Sequence, residues 1–161
     1  MRISLSLRAI AGLLAALCIV PAMADDDGHE RRARGVPLLP QYQQECSSCH
    51  IAYPPGMLPA ATWQRLMNNL PRHFGTDASL DDATVKQLST WLTANAGTYK
   101  RVRVQPPEDR ISRSAWFERK HDEVAASTWK RPAVKSAANC AACHPKSDQG
   151  NFNEHDIRIP R

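Results

Sequence analysis

Two five-residue runs, Cys46-Ser47-Ser48-Cys49-His50 and Cys140-Ala141-Ala142-Cys143-His144, constrain this chain more than any other feature. Each sets two thiols and an imidazole at i, i+3 and i+4, positions that share one face of a helical turn. All three groups can then meet a single object. Cys-x-x-Cys-His is the attachment pattern of a c-type haem, in which the cysteines form thioethers to the vinyl groups and the histidine coordinates iron from the proximal side. Three other readings compete. Exported chains often hold disulfides, and four cysteines allow three pairings. A Cys-x-x-Cys pair also serves as a thiol redox centre, but that leaves unexplained a histidine after both second cysteines. A zinc site drawing on both pairs usually has them about 15 to 20 residues apart, whereas 90 residues lie between Cys49 and Cys140. The expectation is two covalently bound c-type haems, attached through Cys46, Cys49, Cys140 and Cys143, with His50 and His144 as proximal ligands.

The N-terminus points to an oxidising compartment. Arg2 and Arg8 precede or open an apolar run from Ala9 to Val20, and Ala22-Met23-Ala24 then forms a small-x-small cleavage site before Asp25-Asp26-Asp27. This is the pattern of a secretory leader over residues 1–24, cleaved after Ala24, and it places the mature protein in the periplasm. The apolar run is too short to span a bilayer and no comparable run follows, so the mature chain is not expected to be integral to a membrane. Leu17 is not the small residue that normally precedes a lipidated cysteine, so Cys18 is expected to leave with the leader. Losing Arg2 and Arg8 lowers the formal charge from +5 to +3. With no basic run interleaved with stacking aromatics, nucleic acid is excluded as a partner.

The charge is uneven: residues 25–99 carry a net −2 and residues 100–161 a net +5. Gly97 ends a helical pattern, and Gln105-Pro106-Pro107-Glu108-Asp109 reads as an extended, solvated connection. The expected organisation is a flexible segment over 25–40, a haem domain over 41–100, a linker over 101–109 and a second haem domain over 110–161. Domains this small have little apolar material of their own, and a covalently held haem supplies a core to each.

Function turns on the far side of each iron, because a strong side chain there makes an electron carrier and an open position admits a small ligand. In the first half, Thr62 to Leu70 reads as a helix with Trp63, Leu66, Met67 and Leu70 on one stripe. Met67 belongs to that apolar face, and Met57 lies too close behind His50; both read as core or loop rather than ligand. Pro71 stops the helix and His73 falls in the loop Arg72-His73-Phe74-Gly75. A further helix is expected from Ser79, with Asp82 three residues on as an acidic capping box, through Val85, Leu88, Trp91 and Leu92 to Asn95. In the second half, Trp116 to Ala126 reads as a short helix that puts His121 on a face with Phe117 and Val124. His155, in the polar tail, is the rival ligand. His29 lies among charges near the new N-terminus, where order is not expected.

The wording of the chain resembles a known family. Glu45 to Pro59, then Trp63, His73-Phe74-Gly75 and Trp91-Leu92-Thr93-Ala94-Asn95-Ala96 are similar to the dihaem cytochrome c family of exported bacterial electron-transfer proteins. The order Arg110-Ile111-Ser112, Trp116-Phe117, Lys120-His121, Pro132 to Ser136, Asn139 to His144 and Gly150-Asn151-Phe152 resembles the C-terminal half of that family. The resemblance implies a mainly α protein, with a class I cytochrome c-like N-terminal haem domain and a smaller, less regular helical C-terminal one. It implies histidine on both sides of both irons, with the distal ligands falling on His73 and His121. It also implies a monohaem c-type cytochrome with an open iron site as acceptor and a membrane cytochrome b as donor.

The expected function is therefore that of a periplasmic dihaem c-type cytochrome that passes electrons to a partner haem protein through two bis-histidine haems, and not that of an enzyme. The rivals are a small haem enzyme, a peroxidase or reductase, and a ligand-binding haem sensor with one open iron. An enzyme needs a distal acid, base or hydrogen-bond donor beside its substrate, and no such constellation stands out, although Arg72 beside His73 can be read that way.

Overall fold

A computed structural model describes residues 36–161 of the 161-residue chain. The leader over 1–24, His29 and the greater part of the segment 25–40 lie outside the described residues. Those described are mainly helical: α1 over Pro40–Cys46, α2 over Ala60–Met67, α3 over Asp82–Ala94, α4 over Ala115–Lys120 and α5 over Ala126–Trp129, joined by short 3-10 turns. Among the described residues there is no β-strand, only an isolated antiparallel bridge between His73 and Thr76. No described helix is long and apolar enough to cross a membrane.

Pro40 opens α1, where a missing amide hydrogen costs nothing, and the helix delivers Tyr42 to the interior and ends on Cys46. The helix expected over 62–70 begins instead at Ala60, directly after Pro59, and ends at Met67; Leu70–Arg72 continues as a 3-10 turn around Pro71. α3 starts later than the Ser79 capping box predicts. Asp77 takes both the amide and the hydroxyl of Ser79, so Asp81 becomes the N-cap and accepts the Thr84 amide at 3.0 Å.

α2 packs against α3, and with α1 they enclose the main core: Tyr42, Ala52, Leu58, Trp63, Met67, Leu70, Leu88 and Leu92. Its polar edges are satisfied internally. Trp63 donates its indole N–H to the Pro55 carbonyl at 2.8 Å, and the Tyr42 hydroxyl donates to the Tyr53 carbonyl at 3.0 Å. Gly97, two residues past the α3 cap, donates its amide to the Leu58 carbonyl at 2.9 Å. A side chain at Gly97 would collide with the Gly56 carbonyl oxygen and approach Val102 Cγ1 to 2.5 Å, so only glycine lets the chain pass there.

The connection between the halves is turned rather than extended. Pro107–Asp109 forms a 3-10 turn in which Glu108 and Asp109 both take positive φ, 57° and 56°. Ion pairs hold this unfavourable backbone. Asp109 accepts two hydrogen bonds from Arg65 Nε and one, at 2.7 Å, from its Nη2, while Glu108 pairs with Arg110 and Arg113. Beyond it, helix is sparse and few large apolar side chains are buried, Phe117 and Val134 among them. The tail returns over the second cysteine motif, where the Arg158 amide donates to the Cys143 carbonyl at 2.9 Å and the Arg131 guanidinium to the Pro160 carbonyl at 2.6 Å.

The helix expected from Trp116 to Ala126 is divided in two. α4 ends at Lys120, His121 is its C-cap, and α5 begins at Ala126. The His121 ring nitrogen Nδ1 lies 2.8 Å from the Phe117 carbonyl, taking the acceptor that would otherwise continue the helical ladder, and the His121 amide turns back to Glu118 instead.

Candidate functional site

The four cysteines of the two motifs are free thiols, so none is drawn into a disulfide. Burial pushes the Cys46 and Cys140 thiols up to about 11, and burial also raises Cys143. A thiol redox centre needs the opposite shift, toward thiolate, which speaks against that reading. Nor do the described residues gather three or more His, Cys, Asp or Glu side chains in the manner of a metal cluster. The second motif has a helical turn at its heart: the His144 amide donates to the Cys140 carbonyl at 2.8 Å and the Cys143 amide to the same oxygen at 3.2 Å. In the first, α1 supplies Cys46 and the remaining four residues follow as a turn.

Each motif histidine faces a second histidine from elsewhere in the chain. The rings of His50 and His73 have centroids 6.1 Å apart and planes inclined by 31°. The rings of His144 and His121 also have centroids 6.1 Å apart, with planes at 76°. The local means differ. His73 is the residue after the Leu70–Arg72 turn and is fixed by its bridge to Thr76, with the next residue, Phe74, in a left-handed conformation and capped by the Arg110 guanidinium 4.3 Å above its ring. His121 closes α4, stacked on Phe117 at 4.0 Å and flanked by Trp129 at 5.8 Å. His155 is exposed, its amide held by Asn153. Met67 is buried in the core, and Arg72 is exposed with Nε donating to Asn69 at 3.2 Å.

The ring nitrogens follow a pattern. His50 Nδ1 lies 2.6 Å from the Ile51 carbonyl and His121 Nδ1 2.8 Å from the Phe117 carbonyl. A carbonyl only accepts, so these rings carry the proton on Nδ1 and keep the Nε2 lone pair for a metal. Burial, with the facing histidine as a further cause, lowers the pKa of His73 and of His144, which favours the neutral ring a metal ligand must have. Buried His73 Nδ1, His144 Nδ1 and Trp116 Nε1 have no hydrogen-bond partner in the protein. The donor set, two thiols and a facing pair of imidazoles at each site, fits a haem at each pair.

The dihaem cytochrome c family model matches residues 42–152. The chain belongs to the dihaem cytochrome c family. Among solved structures, the dihaem cytochrome c from Shewanella baltica OS155 is 35% identical, with 78% of this chain and 95% of that one covered and a TM-score of 0.68. A dihaem cytochrome c of Rhodobacter sphaeroides is 44% identical, covering 73% of this chain and 99% of that one, with a TM-score of 0.63. A second structure from the same organism gives 43% identity, 73% and 98% coverage and a TM-score of 0.65. A comparison with curated proteins finds no match. Membership of this family implies two haems and electron transfer for this chain, whose described residues are mainly helical.

Sequence reasoning passed over the aromatic residues that set the ring positions. Tyr53 stacks on His50 at 4.9 Å and 26°, and Phe152 flanks His144 at 5.4 Å. Both lie within eight residues of a motif histidine, and an aromatic that close to a Cys-x-x-Cys-His run is the signal that would have found them.

Proposed function

We propose that this protein is a periplasmic electron carrier with two six-coordinate haems. Cys46 and Cys49 bind one covalently and Cys140 and Cys143 the other; His50 and His73 are the axial ligands of the first iron, His144 and His121 those of the second. The observation that carries the reading is the spacing of the imidazoles. A metal–imidazole bond of about 2 Å, with about 1.1 Å more from nitrogen to ring centroid, separates two rings on opposite sides of one iron by about 6.2 Å. Both pairs stand at 6.1 Å.

A bound haem supplies reversible one-electron chemistry at its iron. The chain's part is to hold the rings. Backbone carbonyls fix the tautomers of His50 and His121, and imidazole in place of a methionine sulfur keeps the potential low, since methionine raises it. Ring pairs placed on both faces leave no position for a substrate, which supports a carrier over the enzyme and sensor readings. The class I-like arrangement of residues 41–100, with motif, helix, ligand loop and final helix in that order, and a second haem unit over 110–161 belong to the same reading. So do export by the 1–24 leader, a monohaem cytochrome with an open iron site as acceptor, and a membrane cytochrome b as donor.

Intact mass should equal the chain from Asp25 plus two haems, with both retained on a haem-stained denaturing gel. The reduced protein should show the same visible spectrum with and without carbon monoxide. One haem in the mass, or a carbon monoxide adduct, would overturn the reading.

A further inference from the structure

Tyr53 touches both candidate haem sites. Its ring lies over the His50 imidazole, centroids 4.9 Å apart and planes within 26°. Its hydroxyl donates to the Ala138 carbonyl at 2.8 Å, 85 positions further along the chain and two residues before Cys140. That carbonyl belongs to the short stretch that leads into the second cysteine motif, so the hydroxyl reaches the backbone carrying Cys140. The residue is held at its backbone as well: its carbonyl accepts the hydroxyl of Tyr42, a residue 2% exposed and wedged between Trp63 and Trp91. Pro54 and Pro55 follow directly, fixing the chain that leaves it. Two further links between the halves, Arg65 with Asp109 and Phe74 with Arg110, lead to the turn at 107–110.

We infer that Tyr53 is the bridge for electron exchange between the two haem sites, a positioning and coupling residue that joins the His50 ligand of one to the backbone segment carrying the Cys140 attachment of the other. Electron tunnelling falls off exponentially with the gap to be crossed, and less steeply through bonded and closely packed atoms than through open space. A stacked ring continued by a hydroxyl bonded to the backbone two residues before the next attachment cysteine replaces a gap with contacts. One electron leaves a ferrous iron and arrives at the ferric iron of the other site. Tyr53 gains and loses nothing.

The inference rests on the two-haem carrier reading, so haem content and inertness to carbon monoxide are measured first on every protein; failure there refutes the carrier and not the bridge. On the full holoprotein, Tyr53→Phe keeps the ring over His50 and removes the hydroxyl contact, and Tyr53→Leu removes both. Redistribution between the haems is followed by transient absorbance after pulse reduction and by exchange of haem methyl resonances in half-reduced protein, with both potentials measured alongside. Slowing of several-fold in Tyr53→Phe, and more in Tyr53→Leu, at an unchanged difference between the two potentials, is expected. Unaltered rates overturn the inference, as does slowing that the changed potentials account for. Slowing in Tyr53→Leu alone also overturns it, because it makes Tyr53 a stacking partner of His50 and no bridge. If Tyr53→Leu does not assemble, the Phe variant, which differs by one oxygen, decides.

Discussion

Gly97→Ala tests whether the loop leaving the first haem site is held as closely as its contacts imply. The added methyl meets the Gly56 carbonyl oxygen and lies 2.5 Å from Val102 Cγ1 and 3.0 Å from Val102 Cβ. Real Cβ atoms do not approach so near, so something must move. Neither neighbour moves freely. The Gly56 carbonyl belongs to the 3-10 turn Pro55–Met57, tied by the Trp63 indole to Pro55 O and by the Gly97 amide to Leu58 O, and Val102 is 2% exposed. Overpacking a site of this kind costs about 1–3 kcal/mol, and two immovable partners put Gly97→Ala near about 3 kcal/mol. At about 4 °C per kcal/mol the midpoint falls by roughly 12 °C. Melting followed by far-ultraviolet circular dichroism measures it, at constant haem content. Val102→Ala added to Gly97→Ala should recover part of the loss, because it removes the 2.5 Å approach to Cγ1 and leaves the tight Cβ and the carbonyl. A control is Gly75→Ala, whose Cβ meets nothing within 4 Å but whose φ of +95° disfavours any side chain. It should cost only about 1 kcal/mol. A Gly97→Ala midpoint equal to the parent's refutes the account of this crossing.

Four further outcomes are expected. His121→Ala should convert one haem to a high-spin, carbon monoxide-binding form, while His155→Ala leaves visible and electron spin resonance spectra as they are; a spectral change in His155→Ala would move the ligand to that residue. Asp109→Asn removes the charge facing Arg65 while keeping a residue that tolerates a left-handed backbone, so it should cost only about 0.5–1 kcal/mol in a denaturant titration, Arg65 being largely solvated. Hydrogen bonds from Ser79, Thr84 and Lys146 hold the Asp77, Asp81 and Asp156 carboxyls below the ordinary value, so their stabilisation is complete above that value, 3.8, and lost as pH falls through the lowered ones; Asp81→Asn, which still caps α3, should flatten the acid limb of a stability profile. Electron transfer to an acidic monohaem acceptor should slow as salt rises, because residues 100–161 carry a net +5; a rate independent of salt in stopped-flow assays removes docking by that half and leaves the carrier.

The first half was more legible than the second, for reasons that lie in particular residues. α2 and α3 carry regular apolar stripes, and the errors there were of two or three residues: Pro59 set one start, and the Asp77–Ser79 turn displaced another to Asp81. The connection at 105–109 misled because proline and acidic residues spell solvation, while its shape depends on Arg65, far away in sequence. The helix through His121 misled because periodicity cannot see a ring competing for a carbonyl. No local pattern shows that the Tyr53 hydroxyl meets Ala138 or that the tail folds back to Cys143; these are tertiary contacts over long sequence separations.

The two histidine pairs reach the same 6.1 Å by opposite routes. His73 follows its motif and His121 precedes its own, so an order learned from the first site cannot locate the second. The support is inverted too. In the first site the motif histidine, His50, has Nδ1 on a carbonyl and an aromatic ring stacked on it; in the second, both belong to the incoming histidine, His121. Each pair thus has one anchored imidazole and one whose Nδ1 has no protein partner. His144 is nonetheless restrained by its neighbour Cys143 and by the helical turn from Cys140, whereas His73 depends on a bridge to Thr76 and on a left-handed Phe74 lying 43% exposed under Arg110. The basicity of an iron-bound imidazole follows its Nδ1 contact, so identical ligand sets need not give identical potentials. On the proposed ligation, the two sites differ in the surroundings of the ligands rather than in the ligands themselves.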